Sequence, residues 1–221
     1  MSGSEMLVLR ALSALLSYPR PELRAALPEI AATVRSSQLL KLDDREAVLR
    51  LIDLLVAMDA LQAEERYVEL FDRGRATSLH LFEHVHGDAR DRGTAMVELK
   101  AIYERAGFQL TANELPDYLP VVLEYLSCRD LAEAREMLSD CANILRAIGE
   151  TLMQRGSCYS AIFQALLVVA GEPGLDTKKA SRRATEREDL DSDWFEQPAF
   201  APEPPTSGGA AGAGCARRMF P

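Results

Sequence analysis

No two cysteines in this sequence are spaced as C-x-x-C. Cys128, Cys141, Cys158 and Cys215 stand far apart, which argues against a zinc ribbon or a dithiol redox centre and for free thiols in a reduced, cytosolic protein. No apolar run is long enough to cross a bilayer. The opening MSGSEMLVLR carries Glu5 and Arg10 in the flanks of its apolar stretch, so no secretory leader is expected. There is no G-x-S-x-G and no Walker A. The string Asp72-Arg73-Gly74-Arg75-Ala76-Thr77 has a single glycine and cannot cradle a phosphate with its backbone as a glycine-rich loop does. Positive charge is also short. Lys and Arg number 25 against 34 Asp and Glu, a net charge of -9. Such a surface repels a phosphate backbone and makes nucleic acid a poor partner. It steers toward a partner carrying Lys or Arg.

What the sequence does have is helical periodicity and no strand-like alternation. Leu9, Leu12 and Leu16 share one face of a first helix, which stops at Tyr18-Pro19-Arg20-Pro21 because proline removes donors and restricts its neighbours. A second short helix is expected over Glu22–Val34. A third starts at Asp43, with Glu46 placed as in a capping box. Its face is Val48, Leu51, Ile52, Leu55 and Met58, and it continues with a bend through 65–71. Ala95, Leu99, Ile102 and Ala106 line a further helix that stops at Gly107. Thr111 and Glu114 suggest another capping box. A short helix ending near Leu126 buries Leu119, Val122 and Leu123. From Asp130 and Glu133 a long helix runs to Leu152, with a seam of Leu131, Ala134, Leu138, Cys141, Leu145, Ile148 and Leu152. On that seam Cys141 reads as a buried structural thiol. The last helix, Tyr159–Val169, is apolar nearly all round and is expected to be central. These elements predict an all-α, single-domain helical bundle over residues 1–171. The tail, 172–221, is charged and then rich in Pro, Gly and Ala, and is expected to be disordered.

All three histidines fall within seven residues, at His80, His84 and His86. On a helix, His80 and His84 would lie one turn apart and could bind zinc. The H-E-x-x-H pattern is absent, because Leu81 follows His80. A metal-dependent helical enzyme using His80, His84 and an acidic residue therefore stands as an alternative. Around the histidines, aromatic and ionisable residues are mixed over 67–92 instead of lying on separate faces. Two readings of this region stay open. It is a satisfied polar network joining two helices, or it is a groove for a peptide with apolar and cationic side chains.

Three segments carry a family resemblance. YVELFDRGRATSLHLFEHVHG (67–87), continued by RDRG (90–93), resembles the signature of the NarJ family, the dedicated chaperones of respiratory nitrate reductase. ELPDYLPVVLEYLS (114–127) resembles the E-x-P-D-H segment of the wider TorD-like chaperones of molybdoenzymes, with Tyr118 in place of the histidine. The likeness runs from about residue 5 to 170. It implies a TorD-like all-helical chaperone in the cytoplasm that is not an enzyme. Such a protein binds the N-terminal segment of the apo catalytic (alpha) subunit, assists insertion of the molybdenum cofactor without holding it stably, and delays membrane docking. It is absent from the finished reductase. A chaperone of another molybdoenzyme is the alternative. The groove is expected between 67–87 and 117–125. Tyr67, Phe71, Phe82, Tyr118 and Tyr125 would be its anchors. Asp72, Glu83, Asp117 and Glu124 would meet client cations, and His80, His84 and His86 would line it.

Overall fold

The computed structural model describes residues 2–85, 89–111 and 114–176. Among the described residues there are ten α-helices and no strand. They are α1 (Ser2–Leu15), α2 (Pro21–Ser36), α3 (Leu42–Ala57), α4 (Ala60–Phe71), α5 (Phe82–Val85), α6 (Ala89–Arg105), α7 (Leu119–Ser127), α8 (Leu131–Asp140), α9 (Ala142–Gln154) and α10 (Ser160–Ala170). A 3-10 turn, Arg75–Thr77, lies between α4 and α5. The chain is all-α, as the periodicity predicts.

Two apolar helices make the centre. In α10, Ile162, Phe163, Leu166 and Leu167 are fully enclosed, and the helix packs on α9, α8 and α3. In α7, seven of nine residues are buried, and α1 covers them. Pro120 is tolerated because it occupies the first turn of α7, where its missing N–H has no partner to lose. The Ser13 hydroxyl donates to the Pro120 carbonyl at 2.6 Å and ties the two helices together.

Several boundaries differ from the expectation, each for a local reason. The third helix does not bend through to 71. It ends at Ala57, and Asp59 opens α4 by accepting from Gln62 N at 2.8 Å. The Asp43 capping box does not form, because α3 begins one residue earlier behind Lys41. Thr111 Oγ1 donates to Glu114 Oε2 at 2.6 Å, but none of the described helices starts there. Asp130 does cap α8, accepting from Glu133 N at 2.9 Å. The long helix it opens is broken at Cys141, yet the seam persists, since Ala134, Leu138, Leu145, Ile148 and Leu152 are all buried. The Cys141 thiol is pushed up to about 12 by burial and donates to the Met137 carbonyl. Gly107 ends α6 with φ +76, the left-handed conformation expected of it.

The described chain runs past 171. Pro173 O accepts from Arg146 at 2.7 Å, and Leu175 N donates to Gln164 Oε1 at 2.8 Å. Leu175 sits on Gly149, where a Cβ would stand 2.7 Å from its Cδ2 and 2.8 Å from Phe163 Cβ. The expected disorder of the tail beyond 176 falls outside the described residues.

Candidate functional site

Residues 78–81 lead into α5, with Leu79 and Leu81 buried and His80 partly exposed. This run pairs antiparallel with the residues before α7 through one isolated bridge, His80 to Tyr118. Leu119 N donates to Leu79 O at 2.8 Å, and Leu81 N to Asp117 O at 3.0 Å. The two motif segments are thus joined backbone to backbone.

Asp117 organises this junction. It is fully buried and accepts from Phe82 N at 3.1 Å, which caps the start of α5. Its other oxygen lies 3.3 Å from His80 Nδ1, and Arg92 stands 3.8 Å away. Glu83 is a second node. It accepts from Ser78 Oγ at 2.6 Å and pairs with Arg92 at 3.3 Å. The Ser78 hydrogen bond, with the nearby His80 and Arg92, holds its carboxyl below the usual range. His84 Nε2 lies 2.9 Å from the Ser78 carbonyl. That oxygen can only accept, so the nitrogen carries the proton. His80 and His84 do not share a helix, since His80 precedes α5. They face different partners, and no group of three or more metal-binding side chains occurs among the described residues. His86 falls outside the described residues.

Beside the bridge lies a cleft of about 260 Å³ lined by Tyr18, Tyr67, Phe71, Asp72, Leu79, His80 and Tyr118. Tyr67 is its floor. Its ring is 5.5 Å from Tyr18, edge-on, and 4.9 Å from Phe71. Its hydroxyl reaches Leu16 O at 2.9 Å and Tyr118 Oη at 3.0 Å. Burial pushes the Tyr67 phenol well above the tyrosine range, so it stays protonated. Its one proton goes to the Leu16 carbonyl, and Tyr118 therefore donates to Tyr67. Across Tyr18, whose hydroxyl meets Glu64 at 3.1 Å, the surface continues into a hollow of about 400 Å³. Leu61, Glu64, Glu65, Val68, Glu69 and Arg73 line it with Tyr18.

Of the expected site residues, Tyr67, Phe71, Asp72, His80 and Tyr118 meet at this cleft. Phe82 is half-buried against the core. Tyr125 is only 2% exposed and faces the other way, between Tyr103 and Phe108, with its hydroxyl on Glu133 at 2.6 Å. Glu124 is exposed on α7 and is not part of the cleft lining. Sequence reasoning missed Tyr18 and the Leu61–Glu69 face of α4. The signal for Tyr18 was an aromatic side chain left in a proline loop between two helices. The signal for α4 was Leu61 and Val68, apolar and seven residues apart, among three glutamates.

The family described as nitrate reductase delta subunit matches residues 20–165. The chain is 44% identical over 197 residues to the nitrate reductase molybdenum cofactor assembly chaperone NarJ of Escherichia coli (strain K12), covering 87% of this chain and 84% of that protein. It is 39% identical to the probable chaperone of the same kind NarW of that strain, covering 87% and 82%. It is 32% identical to the probable NarJ of Bacillus subtilis (strain 168), covering 75% and 89%. With its ten described helices and a match across most of its length, the chain belongs to the nitrate reductase delta subunit family, among relatives named as molybdenum cofactor assembly chaperones.

Proposed function

We propose that this chain is a dedicated assembly chaperone of respiratory nitrate reductase. It binds the N-terminal segment of the apo catalytic (alpha) subunit and keeps that subunit competent for molybdenum cofactor insertion. It delays membrane docking until maturation is complete and is absent from the finished enzyme. It works in the cytoplasm, holds no cofactor stably and catalyses no reaction of its own. The observation that carries this reading is the 44% identity to an assembly chaperone across 87% of the chain.

The site chemistry supports it. The client segment binds as a helix whose apolar face enters the Tyr67–Tyr118 cleft. Asp72 and the glutamates of α4 receive its Lys or Arg side chains. One large side chain filling a cleft contributes about 1.5–3 kcal/mol, while micromolar binding needs about 8 kcal/mol. The cleft alone falls short, so the hollow along α4 is engaged as well. Phe82, Glu83, His84 and Asp117 fix the wall of the cleft and act through its shape.

Co-expression with a nitrate reductase catalytic subunit tests this. A one-to-one complex is expected with the cofactor-free subunit. It is lost when the subunit's N-terminal segment is deleted or when the cofactor has been loaded. Equal retention of the chain by the truncated subunit would overturn the assignment of the client segment.

A further inference from the structure

The 3-10 turn packs against α9, and Gly74 before it faces Arg155. Between them is a hollow of about 640 Å³ lined by Arg66, Glu69, Leu70, Arg73, Gly74 and Arg155. That volume is in the range of small-molecule sites. Three arginines line it in a chain of net charge -9. Among the described residues none of the three forms an ion pair, whereas Arg92, Arg129 and Arg146 each do. Arg66 Nε is buried and has no acceptor among the described residues. Arg155 is held in place from one side. Its Nη1 lies 3.4 Å from Thr77 Oγ1, and that hydroxyl donates to the Leu70 carbonyl. Its Nη2 stands over Gly74, 3.6 Å from where a Cβ would be.

Forked guanidinium donors match the oxygens of a phosphate group and bind it with two bonds each. With Glu69 on the same wall, the local balance is three cations to one anion. That suits one phosphate or pyrophosphate group, and long polyanions are repelled by the rest of the surface. We infer that this hollow binds a small phosphate-bearing ligand, held by the side chains of Arg66, Arg73 and Arg155. No backbone cradle is involved. The inference does not rest on the chaperone reading.

Calorimetric titration of the full chain with inorganic pyrophosphate at low salt tests it. Saturable binding is expected, about tenfold weaker in Arg66→Gln, in Arg73→Gln and in Arg155→Gln. Arg10→Gln, on α1, is expected to bind as the parent does, and circular dichroism confirms that each variant is folded. Absence of heat with a folded parent overturns the site. An equal loss in Arg10→Gln overturns it too, because the effect would then be general charge. A glutamate-rich peptide that binds more tightly than pyrophosphate and fails on the same variants overturns the ligand class in favour of an acidic protein partner.

Discussion

Two aromatic clusters in this molecule are built from the same residue types and end differently. Tyr103, Phe108 and Tyr125 close on one another, with centroids 4.7 to 5.8 Å apart. Their hydroxyls are taken up inside, Tyr103 on the Pro116 carbonyl and Tyr125 on Glu133. Tyr67 packs as closely on Tyr18 and Phe71 and is hydrogen-bonded to Tyr118, but these four line a cleft of about 260 Å³. The difference lies in what flanks them. The first cluster is covered by α6 and the residues after Gly107. The second is bounded by a loop, a bridge and the end of α4, elements too short to close over it. Aromatic content alone marks neither a core nor a groove.

The largest effect should come from the closed cluster. Tyr103→Ala removes a ring with no exposed surface and is expected to cost about 3–5 kcal/mol of stability in urea unfolding. A loss below about 1 kcal/mol would mean the cluster is not packed as described. Next is Asp117→Ala, which strips the acceptor from Phe82 N and the partner from His80. It is expected to cost about 1–3 kcal/mol and to weaken client binding through loss of the cleft wall. Unchanged amide protection at Phe82 in hydrogen exchange would contradict that role. Tyr118→Phe deletes one hydrogen bond to Tyr67 while Tyr67 keeps Leu16. About 1 kcal/mol is expected, measurable in the same unfolding assay.

The smallest effect depends on pH. The folded carboxyl of Glu83 lies below its ordinary value of 4.5. Its contribution is therefore complete above that value and is lost as pH falls through the folded one. Glu83→Gln should cost under about 1 kcal/mol near pH 7, and the difference from the parent should shrink toward zero in acid. A difference that grows in acid would reverse the assignment.

The contrast between the clusters also shows what was readable beforehand. Helices were legible because burial at intervals of three and four leaves a pattern in the letters, as in Leu145, Ile148 and Leu152. The breaks were less so. At Cys141 both helices keep the same seam in phase, so the interruption leaves no mark. At Asp59 a local cap overrides a continuous apolar pattern. Leu79-His80-Leu81 alternates over too few residues to signal a bridge, and its partner at Tyr118 lies 38 positions away. The mixed segment 67–92 contributes both to a polar network and to the lining of a cleft. Glu83, Arg92 and Asp117 form the satisfied network, and Tyr67, Phe71 and Asp72 line the opening. Tyr118 and Tyr125 sit in one motif, yet only one lines the cleft. That choice is made by α6, whose position no spacing in the sequence reveals.

The most direct test is a calorimetric titration with a synthetic peptide from the N-terminus of a nitrate reductase catalytic subunit. It compares Asp72→Lys and Tyr118→Ala in the open cluster with Tyr125→Phe in the closed one. Saturable one-to-one binding by the parent is expected, at least about tenfold weaker in both cleft variants and unaltered in Tyr125→Phe, with helical content intact throughout. Cleft variants that bind as the parent does, or an equal loss in Tyr125→Phe, would contradict the claim that the open cluster receives the client.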